Sequence, residues 1–313
     1  MKVAILLSTY NGEKYLSDQI KSIQRQTFKK WDLYIRDDGS SDSTIDQIEE
    51  YSLKDNRIHF LSDNCKNMGP MKSFLKLLKE VEADYYFFCD QDDVWLEDKL
   101  LCMLKPMIAV PNDKPRLIYC GLKCVDQNLN NINNDFENLM GSINGKARFI
   151  GNDMPGCVML FNKSTRDMAI KYTHDYNDII MHDWWIALIA ETFGQIDFIN
   201  QKLVLYRQHG DNSIGAGKNG GIIKKIFQKG ILKKQKDIVR QTYLQDYKFY
   251  SIFKDILPTE TRIFLNQLVD SKNKNILFRF KLFHKNKFNS YSMIRTCVYE
   301  YFFIFHLKSI LDN

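Results

Sequence analysis

The sequence has no apolar run long enough for a membrane-spanning helix. Such a helix needs about 20 consecutive apolar residues, and the longest apolar stretch, 298–311, is shorter and contains a glutamate, a histidine and a lysine. At the other end, Met1 and Lys2 lead directly into the apolar run 3–7, which is too short for a secretory signal. We therefore expect a cytoplasmic protein with neither feature.

The seven cysteines form no Cys-x-x-Cys motif, and their number is odd. A disulfide framework or a cysteine zinc site is therefore not indicated, and we expect buried thiols in a reducing compartment. Internal repeats are also lacking. Hydrophobic residues make up 44% of the 313 residues, which excludes a disordered chain and leaves room for about two folded units of ~150 residues each.

The net charge of +6 conceals a division along the chain. Residues 1–215 hold 25 Lys and Arg against 31 Asp and Glu, whereas residues 216–313 hold 19 against 7. The chain thus combines an acidic body with a basic C-terminal extension. Such an extension can meet nucleic acid, an anionic membrane surface or only solvent.

Apolar periodicity in the first part of the chain alternates between strand and helix. The pattern predicts strands at 2–8, 31–36, 57–61 and 85–89 and helices at 13–26, 43–51 and 70–81. Repeated βα units with short connections imply an α/β fold with a mostly parallel central sheet and right-handed crossovers. The asparagine-rich stretch 128–134 indicates a surface loop.

The predicted strand at 85–89 ends in three carboxylates. Its residues are all apolar or aromatic, as expected of a central strand buried on both faces, and Asp90, Asp92 and Asp93 follow it. Three acids so close together repel one another unless a cation holds them, and ligands collect at the carboxyl ends of parallel strands. We therefore favour a divalent-ion site. Asp93 alone also suits the cap of a helix beginning near residue 96.

Two further loops follow strands at the same predicted edge. One, 8–12, contains Tyr10, and the other, 36–44, contains Asp37 and Asp38. Each also holds a glycine suited to a tight turn before a helix N-terminus. Because carboxylates repel phosphate, these two fit better as acceptors for a base or ribose, with the tyrosine ring stacking on the base. An ordinary Asx-turn with a helix cap is equally consistent with the second loop.

Three motifs, in this order and at these separations, resemble those of the family 2 glycosyltransferases, which have the GT-A fold. They are Ser8-Thr9-Tyr10-Asn11-Gly12, Asp37 through Thr44, and Asp90-Gln91-Asp92-Asp93-Val94-Trp95. Within the family, bacterial transferases that add rhamnose to rhamnan-type surface polysaccharides are nearest in wording. The resemblance covers residues 1–215, which we take as the catalytic domain, and it implies a Rossmann-like fold for nucleotide-diphospho-sugar transfer.

The resemblance assigns roles at the donor side. It implies that three residues of the first loop hold the nucleoside, namely Thr9, Tyr10 and Asn11. The tyrosine would pack on the pyrimidine, and Asp38 would accept from its imide N–H. Asp90 would lie toward the ribose, and Asp92 would bind the Mg²⁺ or Mn²⁺ that bridges the diphosphate. A cation there suits the chemistry, because a nucleoside diphosphate gains negative charge as it leaves.

Motifs farther along resemble the acceptor side of the family. Gly156 would line the wall between donor sugar and acceptor. Asp183, at a helix start, would be the general base, and general-base catalysis typically raises the reaction rate by ~10²–10⁴-fold. His182 stands where the family often has an acid. Trp184 and Trp185 are neighbours, so they cannot both face one core, and we take both as candidates for stacking on the acceptor sugar. Without the family, the glycine indicates a plain turn and the aspartate a helix cap.

A strand that ends near Arg207 leads into a polar loop with His209, an arrangement typical of active-site lids. The resemblance implies that His209 reaches the metal or the diphosphate and that Arg207 steadies phosphate oxygens. By itself, a histidine before a glycine is an ordinary loop residue.

Residues 216–313 form the predicted basic, aromatic-rich helical extension. A glycine-rich hinge at 215–221 precedes a basic amphipathic helix at 222–232, and the aromatic run 299–305 comes last. Packing against the catalytic domain and contact with an anionic membrane surface are equally favoured.

Together these features predict an inverting, metal-dependent glycosyltransferase. Its favoured donor is dTDP-L-rhamnose, with a UDP-hexose as the alternative, and its acceptor is an oligosaccharide or a lipid-linked glycan at the inner face of the cell membrane. A nucleic-acid-binding protein is disfavoured, because the extension lacks a reading module and the body is acidic. A nucleotidyltransferase would need a basic, glycine-rich phosphate loop, and 8–12 contains no Lys or Arg.

Overall fold

The computed structural model describes residues 1–63, 65–111, 113–132, 137, 140–209, 231–286, 288 and 293–312. Its centre is an eight-stranded sheet. The strands are β1 (Val3–Thr9), β2 (Asp32–Asp37), β3 (Ile58–Phe60), β4 (Tyr85–Cys89), β5 (Val94–Trp95), β6 (Arg116–Val125), β7 (Met159–Asn162) and β8 (Gln195–Arg207). Their order across the sheet is β3-β2-β1-β4-β7-β6-β8-β5.

The first half of the sheet is parallel, as the repeated βα pattern predicts. β3, β2, β1 and β4 all run in one direction. The second half is mixed, since β7 lies antiparallel to β4 and β6, and β5 lies antiparallel to β8. The long connection between β6 and β7 allows β7 to join the sheet in the direction opposite to its neighbours. Fewer strand pairs are therefore parallel than the βα pattern predicts.

Six helices accompany the sheet in the described part of the body. They are α1 (Leu16–Gln24), α2 (Thr44–Lys54), α3 (Pro70–Glu80), α4 (Lys99–Ile108), α5 (Lys163–Tyr172) and α6 (His182–Phe193). Helix α1, for example, buries an apolar face with Leu16, Ile20 and Ile23. All five residues of β4 are buried, which confirms the predicted central strand.

Asp93 does not cap a helix, the alternative that the sequence left open for this residue. Helix α4 begins at Lys99, and Asp98 precedes it. Between the aspartates and this helix, Val94 and Trp95 form the short strand β5, which pairs with Leu205 and Val204 of β8. This long-range pairing delays the helix start.

The extension consists of further helices that pack on the body. They are α7 (Ile231–Phe253), α8 (Thr259–Asp270), α9 (Ile276–Lys285), α10 (Met293–Tyr301), a π-helical turn (Phe302–His306) and α11 (Leu307–Leu311). Phe249 and Phe253 of α7 are fully buried, and their rings lie 5.3 and 6.2 Å from that of Trp185 on α6. The Gln245 side chain also accepts a hydrogen bond from Ile180 N at 2.9 Å.

Some predicted features of the chain lie outside the described residues. These are the glycine-rich hinge at 215–221, the basic helix over 222–230 and the end of the asparagine-rich loop at 133–134. Within the described ranges, no helix is both long and apolar enough to cross a bilayer. All seven cysteines are described and free, and four of them are buried.

Candidate active site

The loops that follow β1, β2 and β4 meet at one edge of the sheet. The strand register places Thr9 beside Asp37 and Leu7 beside Cys89, so β1 and β2 end at the same level and β4 ends two residues earlier. Side chains of the first loop, the second loop and the aspartate loop are therefore neighbours, as predicted from their positions after parallel strands.

The three aspartates after β4 have different surroundings. Asp93 is fully buried, and its Oδ1 accepts from Arg207 N at 3.0 Å. Asp92 is partly exposed, and its Oδ2 lies 2.8 Å from His209 Nε2. Burial, Asp92 and Asp183 together raise the pKa of Asp90 to about 7. Asp90 and Asp92 are thus both partly exposed, and Asp92 also contacts a histidine, a common metal ligand.

Arg207 holds the aspartate loop through hydrogen bonds of its side chain. Its guanidinium is almost completely buried and donates to Asp92 O at 2.7 Å, Gln127 O at 2.6 Å and Asp18 Oδ2 at 3.0 Å. It also lies 4.5 Å from the centroid of the Tyr15 ring. These contacts hold the chain around the aspartates in place, and the expected contact with donor phosphates stays a prediction.

Asp183 lies in the first turn of α6 and faces the Gly156 turn. Its Oδ2 accepts from Gly156 N at 3.1 Å, and its Oδ1 accepts from Trp184 N at 2.5 Å. Burial nevertheless raises its pKa to about 7. Cys157, next to Gly156, has its Sγ within 4.8 Å of an Asp90 carboxylate oxygen, so Asp90 and Asp183 border the same turn. A carboxylate that titrates near neutral pH suits a general base.

His182, next to this aspartate, is a packing residue. Its ring stacks on Phe74 with the centroids 4.0 Å apart and meets Phe88 edge-on at 4.6 Å. Burial lowers its pKa to about 3, so the imidazole is neutral. A Cβ added to Gly156 would lie 3.0 Å from His182 Nε2 and 3.4 Å from Phe88 Cβ. The packed ring thus leaves little room for a side chain at Gly156.

The Gly156 turn is also held from the other side, by a lysine. Lys99 is fully buried, donates from Nζ to the Cys157 carbonyl, and lies 3.3 Å from the centroid of the Trp95 ring. Burial lowers the pKa of Lys99, while Asp93 and three neighbouring cysteines act in the opposite direction. The Lys99 side chain therefore joins the start of α4 to the Gly156 turn.

The first loop is tied to the aspartate loop by Gln91. The Gln91 side chain accepts from Tyr10 N at 2.9 Å and donates to Tyr10 O at 3.0 Å. The Tyr10 side chain is about half exposed and available for stacking. Asn11 has a φ of 45°, and its Oδ1 accepts from Ser41 N at 2.9 Å, which joins the first loop to the second.

Two other predicted nucleoside contacts are already engaged within the protein. Thr9 Oγ1 donates to Asp37 Oδ1 at 2.8 Å. Asp38 is buried, pairs with Arg36 at 2.9 Å, and accepts from Met68 N at 3.0 Å and Gly69 N at 2.8 Å. These bonds fix the orientation of the carboxylate, and its contact with a base stays a prediction.

The two tryptophans of α6 point in different directions, as the helical geometry requires. Trp185 is fully buried, and its Nε1 donates to Thr173 Oγ1 at 3.1 Å. This corrects the expectation that it stacks on an acceptor, because helix α7 covers it. Trp184 is only partly buried, and its Nε1 donates to Arg148 O at 2.7 Å. Trp184 is therefore the remaining candidate for an acceptor contact.

The family model named Glycosyl transferase family 2 matches residues 4–169, more than half of the chain. The chain belongs to this family. The resemblance inferred from the motifs is thereby confirmed, together with its α/β fold.

Relatives of this family 2 glycosyltransferase include enzymes with different donors. It is 30% identical over 223 residues to the dTDP-rhamnosyl transferase RfbG of Shigella flexneri, covering 67% of this chain and 74% of the relative. It is 33% identical over 106 residues to WfgD of Escherichia coli, covering 34% of this chain and 41% of the relative. WfgD is named a UDP-Glc:alpha-D-GlcNAc-diphosphoundecaprenol beta-1,3-glucosyltransferase.

A solved structure shares the fold of this glycosyltransferase. The mannosyltransferase PcManGT from Pyrobaculum calidifontis, in complex with GDP-Man and Mn²⁺, superposes with a TM-score of 0.55 at 13% identity. The match covers 88% of this chain and 71% of that chain. Similarity at this level shows the GT-A fold.

The residues of this glycosyltransferase fit a divalent cation at Asp92 and His209. Adjacent ligands of an octahedral Mg²⁺ or Mn²⁺ lie ~3 Å apart, because each bond is ~2.1 Å long. The Asp92 and His209 ligand atoms are 2.8 Å apart, close to that separation. Asp90, Asp93 and Cys157 also form a group with ligand atoms within 4.8 Å of one another. The buried Lys99 side chain, which donates to the Cys157 carbonyl, lies beside this second group.

Two supporting residues of the glycosyltransferase site escaped the sequence reasoning, Gln91 and Lys99. Gln91 lies inside the aspartate motif, where its position between two acids was a usable signal. Lys99 gave no such signal, because a lysine in the first turn of an amphipathic helix is ordinarily solvent-exposed.

Proposed function

We propose that the protein is an inverting glycosyltransferase that moves a sugar from a nucleotide-sugar donor to a hydroxyl group of a cell-surface polysaccharide. One observation carries this proposal. Asp183 Oδ2 accepts from Gly156 N at 3.1 Å, and the next residue, Cys157, has its Sγ within 4.8 Å of an Asp90 carboxylate oxygen. The proposed base and the proposed donor-side carboxylate thus border the same turn.

Asp183 would accept the proton of the acceptor hydroxyl while the acceptor oxygen forms a bond to the anomeric carbon. The bond from that carbon to the nucleoside diphosphate breaks in the same step, and the electron pair leaves with the diphosphate. Attack from the face opposite the leaving group inverts the anomeric configuration. Gly156 N–H would hold the Asp183 carboxylate in orientation, and the absence of a side chain at Gly156 lets this turn pack directly against His182 and Phe88.

At the opposite side of the site, Asp92 and His209 would hold Mg²⁺ or Mn²⁺. The cation, when bound, would supply positive charge to the leaving diphosphate. Tyr10 and Asp38 would contact the base, and Asp90 would face the ribose.

The favoured donor is dTDP-L-rhamnose, which the similarity to RfbG supports over the longer alignment. A UDP-hexose is the alternative, supported by the similarity to WfgD. We further propose a lipid-linked acceptor, with residues 1–215 as the catalytic domain and 216–313 as an extension that works at the inner face of the membrane. The diphosphoundecaprenol acceptor in the WfgD name supports this choice.

A panel of nucleotide sugars tests the donor assignment. The purified protein is mixed with Mn²⁺ and dTDP-L-rhamnose, UDP-glucose, UDP-galactose or GDP-mannose, and its melting temperature is measured. A donor present at 100 times its dissociation constant stabilises the native state by about 2.7 kcal/mol. Stabilisation by dTDP-L-rhamnose above the others is expected. Stabilisation only by a UDP-hexose would replace the rhamnose assignment, and no response to any nucleotide sugar would contradict the proposal.

A further inference from the structure

The helical extension exposes apolar side chains on two adjacent helical segments. On α9, Leu277 is 59% and Phe280 is 48% exposed. Across the junction of α10 with the π-helical turn, Tyr301 is 51% and Phe305 is 53% exposed. Apolar side chains of this size are usually buried. Four exposed ones on neighbouring segments therefore indicate an interaction surface.

Contacts between the two segments place them side by side. His284 Nε2 lies 2.9 Å from Glu300 Oε1, and Arg279 Nε donates to Ile304 O at 2.7 Å. His284 comes after Arg279 on α9, whereas its partner Glu300 comes before Ile304 on the other segment, so the two segments run antiparallel. The exposed aromatic residues therefore belong to one side-by-side pair of segments.

Other residues of the same two segments form the local core. Phe283 and Phe303 are buried with their ring centroids 6.2 Å apart, and Leu282, Phe302 and Leu307 are buried as well. In the aromatic run 299–305, only Tyr301 and Phe305 are exposed, because the other aromatic side chains belong to this core. The exposed side chains are thus not needed to hold the extension together.

Cationic side chains accompany the exposed apolar residues. Lys281 and Lys285 on α9 and Lys308 on α11 are exposed, and none of the three has an ion-pair partner among the residues that the structure describes. Lys272 and Lys274 nearby differ, since they pair with Asp312 at 3.5 Å and Asp270 at 2.9 Å. The unpaired lysines complement the negative charge of an anionic surface, and the exposed aromatic rings beside them suit an apolar layer beneath that charge.

We propose that this surface, hereafter the α9 face, docks on the anionic face of a lipid bilayer. It consists of Leu277, Phe280, Lys281, Lys285, Tyr301 and Phe305. Aromatic side chains partition to the boundary between headgroups and acyl chains, and lysines near an anionic leaflet contribute about 1 kcal/mol each, or about 5-fold in partitioning. This inference deepens the proposed lipid-linked acceptor, and it does not depend on the identity of the donor.

Vesicle sedimentation with the full chain tests the α9 face. Vesicles of phosphatidylcholine, with or without phosphatidylglycerol, are pelleted at low and high salt. The protein is expected to pellet with the anionic vesicles and to release as salt rises, because screening shortens the reach of the lysine charges. The double variant Lys281→Gln/Lys285→Gln should bind about 30-fold more weakly. The variant Leu277→Ser/Phe280→Ser should bind at least 10-fold more weakly even at low salt.

Matched controls come from the catalytic body. Leu53→Ser/Ile108→Ser removes two exposed apolar side chains, and Lys29→Gln/Lys30→Gln removes two exposed lysine charges. Both controls should pellet like the unmodified protein. Donor hydrolysis and the melting temperature are measured for every variant. They should stay unchanged, so that failure of the membrane proposal and failure of the proposed catalytic function give different results.

Three outcomes would overturn the inference. One is equal pelleting with neutral and anionic vesicles, and a second is equal binding by the α9-face variants and the controls. In the third, the unmodified protein binds no vesicles and light scattering gives it the mass of a dimer, whereas Leu277→Ser/Phe280→Ser has the mass of a monomer. That result would make the α9 face a contact between two copies of the chain.

Discussion

The buried ammonium of Lys99 donates to the main-chain carbonyl of Cys157 and lies over the Trp95 ring. This contact joins the start of α4 to the turn that contains Gly156, and the N–H of Gly156 in turn holds Asp183. The proposed base is therefore positioned through a chain of contacts that begins at a lysine away from the solvent.

Replacement of Lys99 by Met should weaken both the fold and the reaction. The Cys157 carbonyl would lose its donor in a buried place, so we expect the free energy of unfolding to fall by about 2 kcal/mol. Sugar transfer should fall by more than donor affinity, since the Gly156 turn borders the base. Lys105→Met, on an exposed position of the same helix, is the control. Equal stability and transfer in the two variants would remove Lys99 from the site.

Asp92→Asn and His209→Ala should each abolish the Mn²⁺ dependence of donor binding without unfolding the protein. The Asp92 and His209 side chains are polar and only 15% and 11% exposed, but they lie outside the apolar core, so both variants should stay folded, as the melting temperature will check. Calorimetric titration of the donor with Mn²⁺ and with a chelator measures the effect. Asp46→Asn, an exposed acid in the first turn of α2, should behave like the unmodified protein. Donor binding that keeps its full Mn²⁺ dependence in both variants would place the cation elsewhere.

The raised pKa of Asp183 predicts a pH dependence of stability. Its folded-state pKa of about 7 exceeds the ordinary value of 3.8, so folding favours the protonated carboxyl group. This contribution is fully present below the ordinary pKa and is lost as the pH rises through 7. From pH 5 to pH 8, the melting temperature of Asp183→Asn should therefore rise relative to that of the unmodified protein. A difference that is independent of pH would show that Asp183 titrates at an ordinary pKa.

Gly156→Ala should lower transfer through a clash with the packed His182 ring. The added Cβ would lie 3.0 Å from Nε2, a separation that requires the ring or the turn to shift. His182→Ala removes the ring, so the penalty of Gly156→Ala should be smaller in that background. A double-mutant cycle on transfer rate and unfolding free energy measures this coupling. Additive effects would mean that the ring does not restrict Gly156.

The parts of the fold that follow from local pattern were predictable from the sequence. The buried strand β4, the parallel strands β1 to β4 and the meeting of their loops all depend on apolar periodicity and short connections. The antiparallel entry of β7 and the pairing of β5 with β8 depend on contacts between distant segments. For that reason, Asp93 resembled a helix cap in the sequence and is a buried acceptor for Arg207 N in the structure.

The same distinction holds within the site. The resemblance to the family implied that Asp92 and His209 act in one site, and their side chains lie 2.8 Å apart. Helical geometry predicted that Trp184 and Trp185 would diverge. Which tryptophan is buried depends on where α7 packs, and residues on the two sides of that contact are far apart in the sequence. The buried position of Lys99 likewise depends on the turn 156–158, which approaches only in the folded chain.

The most direct test of the proposed reaction compares transfer and donor binding in Asp183→Asn. The donor is the nucleotide sugar that raises the melting temperature most in the panel. Release of nucleoside diphosphate from it is followed in the presence of Mn²⁺ and a sugar acceptor, and donor affinity is measured in parallel. We expect transfer to fall by ~10²-fold or more with donor affinity nearly unchanged, because an amide keeps the shape of the side chain but cannot take a proton. Near-normal transfer by Asp183→Asn would contradict the assignment of the base and with it the proposed mechanism.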